Sequence, residues 1–172
     1  KVARRVFGEY GFHGTTTRLI AHETGIDIST LHYHWGDKAN LYESVILDIT
    51  DDLKSELVEG EKVIHGLPLA KRMEIAIGMV TDYLFACPEI SNLILFRYFG
   101  KTRHEAAVDF HMPEFVSDIA RSMHLSESSK DVPVEAKMKI MAMMNAIYNF
   151  ISGEEFFRSM LALKRKDYIS IV

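Results

Sequence analysis

Leu41, Val45, Ile49, Leu53 and Leu57 recur at every fourth position without a break. Side chains four apart share one face of a helix, so this stripe predicts an amphipathic helix with that face turned to a core. Asp37 caps it, and it reaches about Glu59, where Gly60, Gly66 and Pro68 mark a loop. Leu69, Met73, Ala76, Ile77, Val80 and Leu84 predict the next helix, closed by Pro88. Residues 90–99 predict a helix apolar on more than one side, and 100–112 reads equally as a loop or a short helix. Pro113 suits a helix start ahead of Phe115, Val116, Ile119, Ala120 and Met123. A polar loop over 126–131 leads to Pro133, which opens a helix from Val134 to about Ser152. Gly153 interrupts, and Glu154 to about Leu163 is the last clear helix, with Lys164, Arg165 and Lys166 at its C-terminal end, where cations suit the dipole.

Before these long segments come short ones. Val2, Val6 and Phe7 have helical spacing up to Gly11; Thr15, Thr16 and Thr17 offer an N-cap for a helix running to Glu23; Thr24-Gly25 breaks it. Asp27 can cap a third helix, Ile28 to His34, which Gly36-Asp37 ends. No alternating β-branched run with hairpin turns occurs. The chain therefore reads as all-α: a three-helix N-terminal domain over 1–42, then a larger helical domain over 43–172.

Composition narrows the function classes. A 48% hydrophobic fraction in 172 residues is enough for a buried core. Cys87 is the single cysteine, which excludes an internal disulfide and a cysteine zinc cage and fits a reducing, cytoplasmic setting. No apolar run reaches the roughly 18 residues of a membrane span, and no signal peptide is visible. Lys1 already lies within a helical segment, which predicts residues upstream of it. Net charge is −4, yet residues 1–41 carry one more basic than acidic side chain, so any nucleic-acid role rests on a local surface.

That surface is foreshadowed by GTTTRLIAHETGIDISTLHYHWGDK, residues 14–38. Ala21 is small enough to let a second helix approach the first. Gly25 supplies the positive φ of a tight turn. Ile20, Ile26 and Leu31 fill the wedge between the helices, which frees the outer face of the second helix to enter a major groove. This is the spacing of a helix-turn-helix.

From Ala3 to Leu57 the chain resembles the TetR family of bacterial transcriptional regulators. The resemblance rests on the Tyr10-Gly11-Phe12 group, the threonine run, Ala21 followed by Gly25, Leu31-His32-Tyr33-His34-Trp35, and Lys38 ahead of Leu41. It implies that Thr16 and Thr17 begin a helix whose N-terminus meets a phosphate, with Arg18 adding a charge-assisted contact. It implies that Ile28, Ser29, Thr30 and His32 face the groove and that Tyr33, His34 and Lys38 contact backbone phosphates. Ile28, Ser29, Leu19 and His32 depart from the family's common residues at these positions, which alters the reading surface but not the wedge.

The C-terminal domain carries fewer signals. Met138, Met141, Met143, Met144, Ile140, Ile147, Tyr148, Phe150 and Ile151 make a helix apolar all round, which must be covered on both sides. Core packing explains part of this. A ligand cavity on one face and a dimer interface on the other, as the resemblance suggests, explain the rest. The cavity residues expected are Tyr83, Phe96, Phe99, Phe110, Phe115, Met141, Met144 and Tyr148, and the interface residues Ile147, Ile151, Phe156, Phe157, Met160 and Leu161. His32 and His34 are two apart and diverge on a helix, so they do not make a metal site. His104, Glu105, Asp109 and His111 read as a solvated loop in preference to a ligand set, and Cys87 as a buried, inert thiol. No catalytic constellation and no cofactor motif is present. The expected function is a homodimeric repressor, without enzymatic activity, released from operator DNA by a small apolar effector. The alternative is a helical ligand-binding module or enzyme that does not bind DNA.

Overall fold

A computed structural model describes residues 1–99, 112–125 and 131–172. The expectations for 100–111, including Phe110 and the group around His104, lie outside the described residues.

The first helix, α1 (Val2–Gly14), is bent at Gly11, whose φ of 66° only glycine adopts without strain. Thr15 locks the bend: its sealed hydroxyl donates to the Gly11 carbonyl at 2.8 Å. In α2 (Thr17–Thr24) the Thr16 hydroxyl caps the helix by accepting from the Leu19 amide at 3.1 Å. Gly25, at φ 70°, turns the chain into α3 (Ile28–Trp35); Asp27 holds the cap position there without a side-chain bond.

The 27-residue α4 (Lys38–Ile64) is capped by Asp37, which accepts from the Asn40 amide at 2.8 Å. It runs past the expected end near Glu59. Gly60 is not a loop residue but a buried position inside the helix, beside the end of the Met79 side chain. The expected boundary at residue 42 therefore falls inside a continuous helix. Next come α5 (Leu69–Ala86), α6 (Pro88–Phe99), α7 (Met112–Ser122), α8 (Val134–Ser152) and α9 (Glu154–Leu161).

The chain ends in α10 (Arg165–Ile171), a helix the hydrophobic pattern does not announce. Ala162 takes a left-handed conformation that ends α9, so Lys164 precedes a new helix and Arg165 and Lys166 open it instead of closing the last one. Tyr168 pins α10 down. It is sealed, donates to the Phe150 carbonyl at 2.7 Å, and meets Phe85 edge to face. Glu154 of α9 accepts from Arg158 and Arg165, each at 3.1 Å, tying the two helices together.

One apolar core runs from Val6 and Phe7 of α1 through Leu53 of α4 and Leu93 of α6 to Ile140 and Tyr148 of α8. α1 crosses the start of α6 so closely that a Cβ on Gly8 would lie 2.6 Å from Glu89 Cβ. Arg4, also buried, joins α1 to α4 through Asp48 at 2.5 Å and Asp52 at 2.7 Å. No strand occurs among the described residues, and no described helix is long and apolar enough to cross a membrane.

Candidate nucleic-acid interface and cavity

The wedge between α2 and α3 is built from Ile20 and Leu31, both sealed, and from Ala21, whose small side chain lets the helices close. Ile26, expected to share that wedge, is 39% exposed and sits at its rim. The Gly25 amide donates to the His22 carbonyl at 3.2 Å and the Ile26 amide to the Ala21 carbonyl at 3.1 Å, which completes the turn.

With the inner faces committed, α3 presents Ser29, Thr30, His32, Tyr33 and His34 outward. Tyr33 is 86% exposed. A large aromatic held in water on a short, well-packed helix has its hydroxyl free for a partner outside the chain. Thr16, Arg18 and the half-buried Thr17 stand at the N-terminus of α2, beside the amides that attract an anion. Three expected residues behave differently. Ile28 is half-buried and packs against the core. Lys38 donates from Nζ to the carbonyls of Phe12 at 2.9 Å and Thr15 at 3.0 Å, with its charge 4.3 Å from the Phe12 ring centroid. Its first role is to close the C-terminal end of α1, where free carbonyls need donors. His32 likewise turns Nδ1 to the Gly36 carbonyl at 2.6 Å, leaving one ring nitrogen facing outward.

The charges of this domain are mostly paired. Arg5 meets Glu23 at 2.6 Å and lies near Glu9, and the Arg5 hydrogen bond holds the Glu23 carboxyl below its ordinary range. Arg4 and Lys38 are engaged internally. Among the described residues Arg18 has no such partner and is exposed.

A cavity of about 90 Å³ lies between α4, α5, α7 and α8. Phe115, Met144 and Tyr148 are among its lining residues. Tyr83, Phe96, Phe99 and Met141 are not. Tyr83 sits at the junction of α4 and α5, where burial first, then Asp52, pushes its phenol up to about 12. Phe96 covers Gly11, Phe99 is 82% exposed, and Met141 faces outward from α8. Leu57, Met73, Met79, Val80, Met123 and Met143 line the cavity instead. Leu57, Met73, Val80 and Met123 read as apolar-face positions of their helices in the sequence, and only the meeting of four helices turns part of that core into a void.

The register of α8 also separates the expected interface. Ala136, Ile140, Met144, Ile147 and Ile151 point inward. Ile147 and Ile151 are thus buried within the chain, where Ile147 walls the cavity. The outward apolar side is made of Val134, Met138, Met141 and Phe150, continued on α9 by Phe156, Met160 and Leu161. Phe157 is half-buried, with its ring 5.3 Å from that of Phe150.

Two polar features border the cavity. Arg72, buried at 3% exposure, donates to Glu61 at 3.1 Å and to the carbonyl of Ser122, and lies 3.2 Å from His124 Nε2. Burial alone would raise the Glu61 carboxyl, but the Ser122 hydroxyl, the Arg72 charge and His65 bring it below its ordinary range. Tyr148 is sealed from solvent, and its hydroxyl has no hydrogen-bond partner among the described residues. Burial, with the phenol of Tyr98 second, pushes Tyr148 upward, so it remains a neutral O–H donor. Cys87, half-buried and not sealed, has its thiol raised by burial and then by Glu89. Among the described residues no group of three metal-ligating side chains occurs.

Residues 1–45 match the model for bacterial regulatory proteins of the tetR family. The chain is 24% identical over 143 residues to the HTH-type transcriptional repressor AcnR of Corynebacterium glutamicum, covering 77% of this chain and 68% of that one. Its fold is similar to that of a TetR-like transcriptional regulator from Rhodococcus sp. RHA1, with a TM-score of 0.69 at 18% identity over 99% of this chain and 86% of the other. It is similar also to the fatty acid degradation regulator FadR from Bacillus halodurans, with a TM-score of 0.66 at 12% identity over 89% and 85%.

Proposed function

We propose, from the match of residues 1–45 to the model for bacterial regulatory proteins of the tetR family, that the chain is a dimeric repressor released from its operator by a small, largely apolar effector. The observation that carries this reading is α4. Its first residue, Lys38, braces the helix-turn-helix, while its Leu53, Leu57 and Gly60 wall the cavity. One helix thus belongs to both a reading surface and a binding space. Residues 1–42 act as the reading domain and 43–172 as the effector and dimerisation domain.

In this reading Thr16, Thr17 and Arg18 meet one phosphate, Tyr33 and His34 meet others, and Ser29, Thr30 and the outer nitrogen of His32 reach base edges. Ile28 contributes by holding α3 on the core. Lys38 has one donor left for a phosphate after its two internal bonds. The apolar side of α8 and α9 pairs with its copy in a second chain, and two-fold symmetry offers two reading heads to half-sites about 34–36 Å apart. The effector binds the DNA-incompetent state more tightly, so operator DNA weakens effector binding by the same factor.

The test is a fluorescent duplex from upstream of the chain's own gene, titrated at two salt concentrations. Specific binding with a steep salt dependence is expected. Arg18→Ala should lower the slope of log K against log salt by about 0.9, one released counterion. Thr30→Ala should change base preference instead. No binding to any duplex at low salt would favour the alternative, a helical ligand-binding module or enzyme on the same fold.

A further inference from the structure

The side chains that α3 turns outward differ in how far the fold fixes what they can do. The hydroxyls of Ser29, Thr30 and Tyr33 donate or accept as they rotate. His32 is different. Its Nδ1 lies 2.6 Å from the Gly36 carbonyl oxygen, and the Gly36 amide donates back to the His32 carbonyl at 2.8 Å. A carbonyl oxygen only accepts, so in the neutral ring Nδ1 carries the proton and Nε2 is left with a lone pair. The two nitrogens point to opposite sides of an imidazole. With Nδ1 turned back to the backbone, Nε2 points away from it, on a residue that is exposed. Gly36 thus sets both the tautomer of this ring and the direction of its free nitrogen.

We propose that His32 is a specificity-determining residue of fixed polarity: its Nε2 accepts a hydrogen bond from an exocyclic amine in the major groove, that of adenine or that of cytosine. The inference rests on the DNA-binding reading above and names what that surface selects. A phosphate oxygen offers no hydrogen to an accepting nitrogen, so Nε2 has no bond to make with the DNA backbone. The donors within a major groove are the amines of adenine and cytosine, and at the corresponding edge guanine and thymine present keto oxygens that repel the lone pair. His32 therefore sorts the base it meets into amino or keto. Arg18 and the amides opening α2 supply the phosphate contacts, which fix register and carry no such preference.

The experiment selects bound duplexes from a randomised library with the full chain, at about pH 8, above the range in which imidazoles ordinarily take a second proton. Wild type, His32→Ala and His32→Arg are compared. In the wild type one position of each half-site should favour adenine or cytosine, and the base selected says which amine is read. His32→Ala should relax that position alone, and His32→Arg, which only donates, should turn it to guanine. In the best wild-type duplex, removing only the amine, adenine to purine or cytosine to pyrimidin-2-one, should weaken binding about threefold to tenfold, the worth of one neutral hydrogen bond. The same removal should cost His32→Ala nothing further. Guanine or thymine at the position that His32→Ala relaxes would overturn the proposal, as would selections that the variants leave unchanged. A His32→Ala variant weakened evenly across sequences would put His32 on a phosphate and overturn it too. Where a variant melts well below the wild type, amine removal against the wild type decides, and no loss of affinity overturns. If no duplex is enriched even at low salt, the DNA-binding reading falls and this proposal with it.

Discussion

Lys38 holds its ammonium group 4.3 Å from the ring centroid of Phe12 while donating a 2.9 Å hydrogen bond to the carbonyl of that same residue. The first residue of α4 thus grips the end of α1 by ring and backbone together. Charge-assisted bonds of this kind contribute about 1.5–3 kcal/mol when well formed, and half-burial puts this one toward the lower end. Lys38→Ala should therefore lower the urea midpoint of the full chain. A lysine acting on phosphate alone would leave that midpoint in place and change only the salt slope of DNA binding.

Gly8 lies against the backbone of Glu89, with Glu89 Cα 2.9 Å from where a Cβ would stand. Backbone cannot swing aside as a flexible side chain can. Gly8→Ala should force α1 off α6 and cost ~1–3 kcal/mol, the usual range for overpacking. A thermal melt checks this, and an unchanged melting temperature would mean that the α1–α6 crossing gives way freely.

Glu61 makes stability depend on acid. Its carboxyl is held below the unfolded value of 4.5, so its contribution is fully present above about that pH and is lost as pH falls through the lower, folded value. Wild type and Glu61→Gln should differ in urea midpoint at pH 6 and converge as pH falls below the unfolded value and through the lower, folded one. The gap is modest because the carboxylate side chain is 36% exposed. A gap that stays constant across the range would assign the effect to packing.

Phe156 is 67% exposed within one chain. A charge there should leave the folded protomer nearly as stable as before, within about 0.5 kcal/mol, as for most surface changes. If the α8–α9 face is the dimer interface, Phe156→Glu should shift the chain to monomer in sedimentation at micromolar concentration and lower operator affinity with it. A variant that remains dimeric would move the interface elsewhere.

Much of the helix-turn-helix was legible because its information is local. The Thr16 cap, the Gly25 turn and the inward Ile20 and Leu31 are set by spacing within a few residues. Other features depend on what a residue meets far along the chain. Gly60 looks like a loop glycine until the packing of α4 against α5 buries it within the helix, beside Met79. Ile147 and Met141 are equally apolar in sequence, and only the packing of α8 against α6 and α7 decides that one faces in and the other out. Lys38 bears the same charge whether it meets a phosphate or the carbonyls of Phe12 and Thr15. The last helix escaped notice because it is short and held mainly by a single anchor, Tyr168.

Two arginines grip α4 from different helices: Arg4 at Asp48 and Asp52, and Arg72 at Glu61. Between them run roughly 13 Å of helix, and this stretch includes Leu53, Glu56, Leu57 and Gly60 on the cavity wall. Mechanically it is a beam clamped at both ends and loaded at midspan. A guest that swells the cavity cannot slide such a beam along its axis; it must bow it or break a clamp. Gly60, the residue of the span with the poorest helix propensity, is where the beam yields first, and the choice between bowing and unclamping decides whether the disturbance stays at the cavity or arrives at α1.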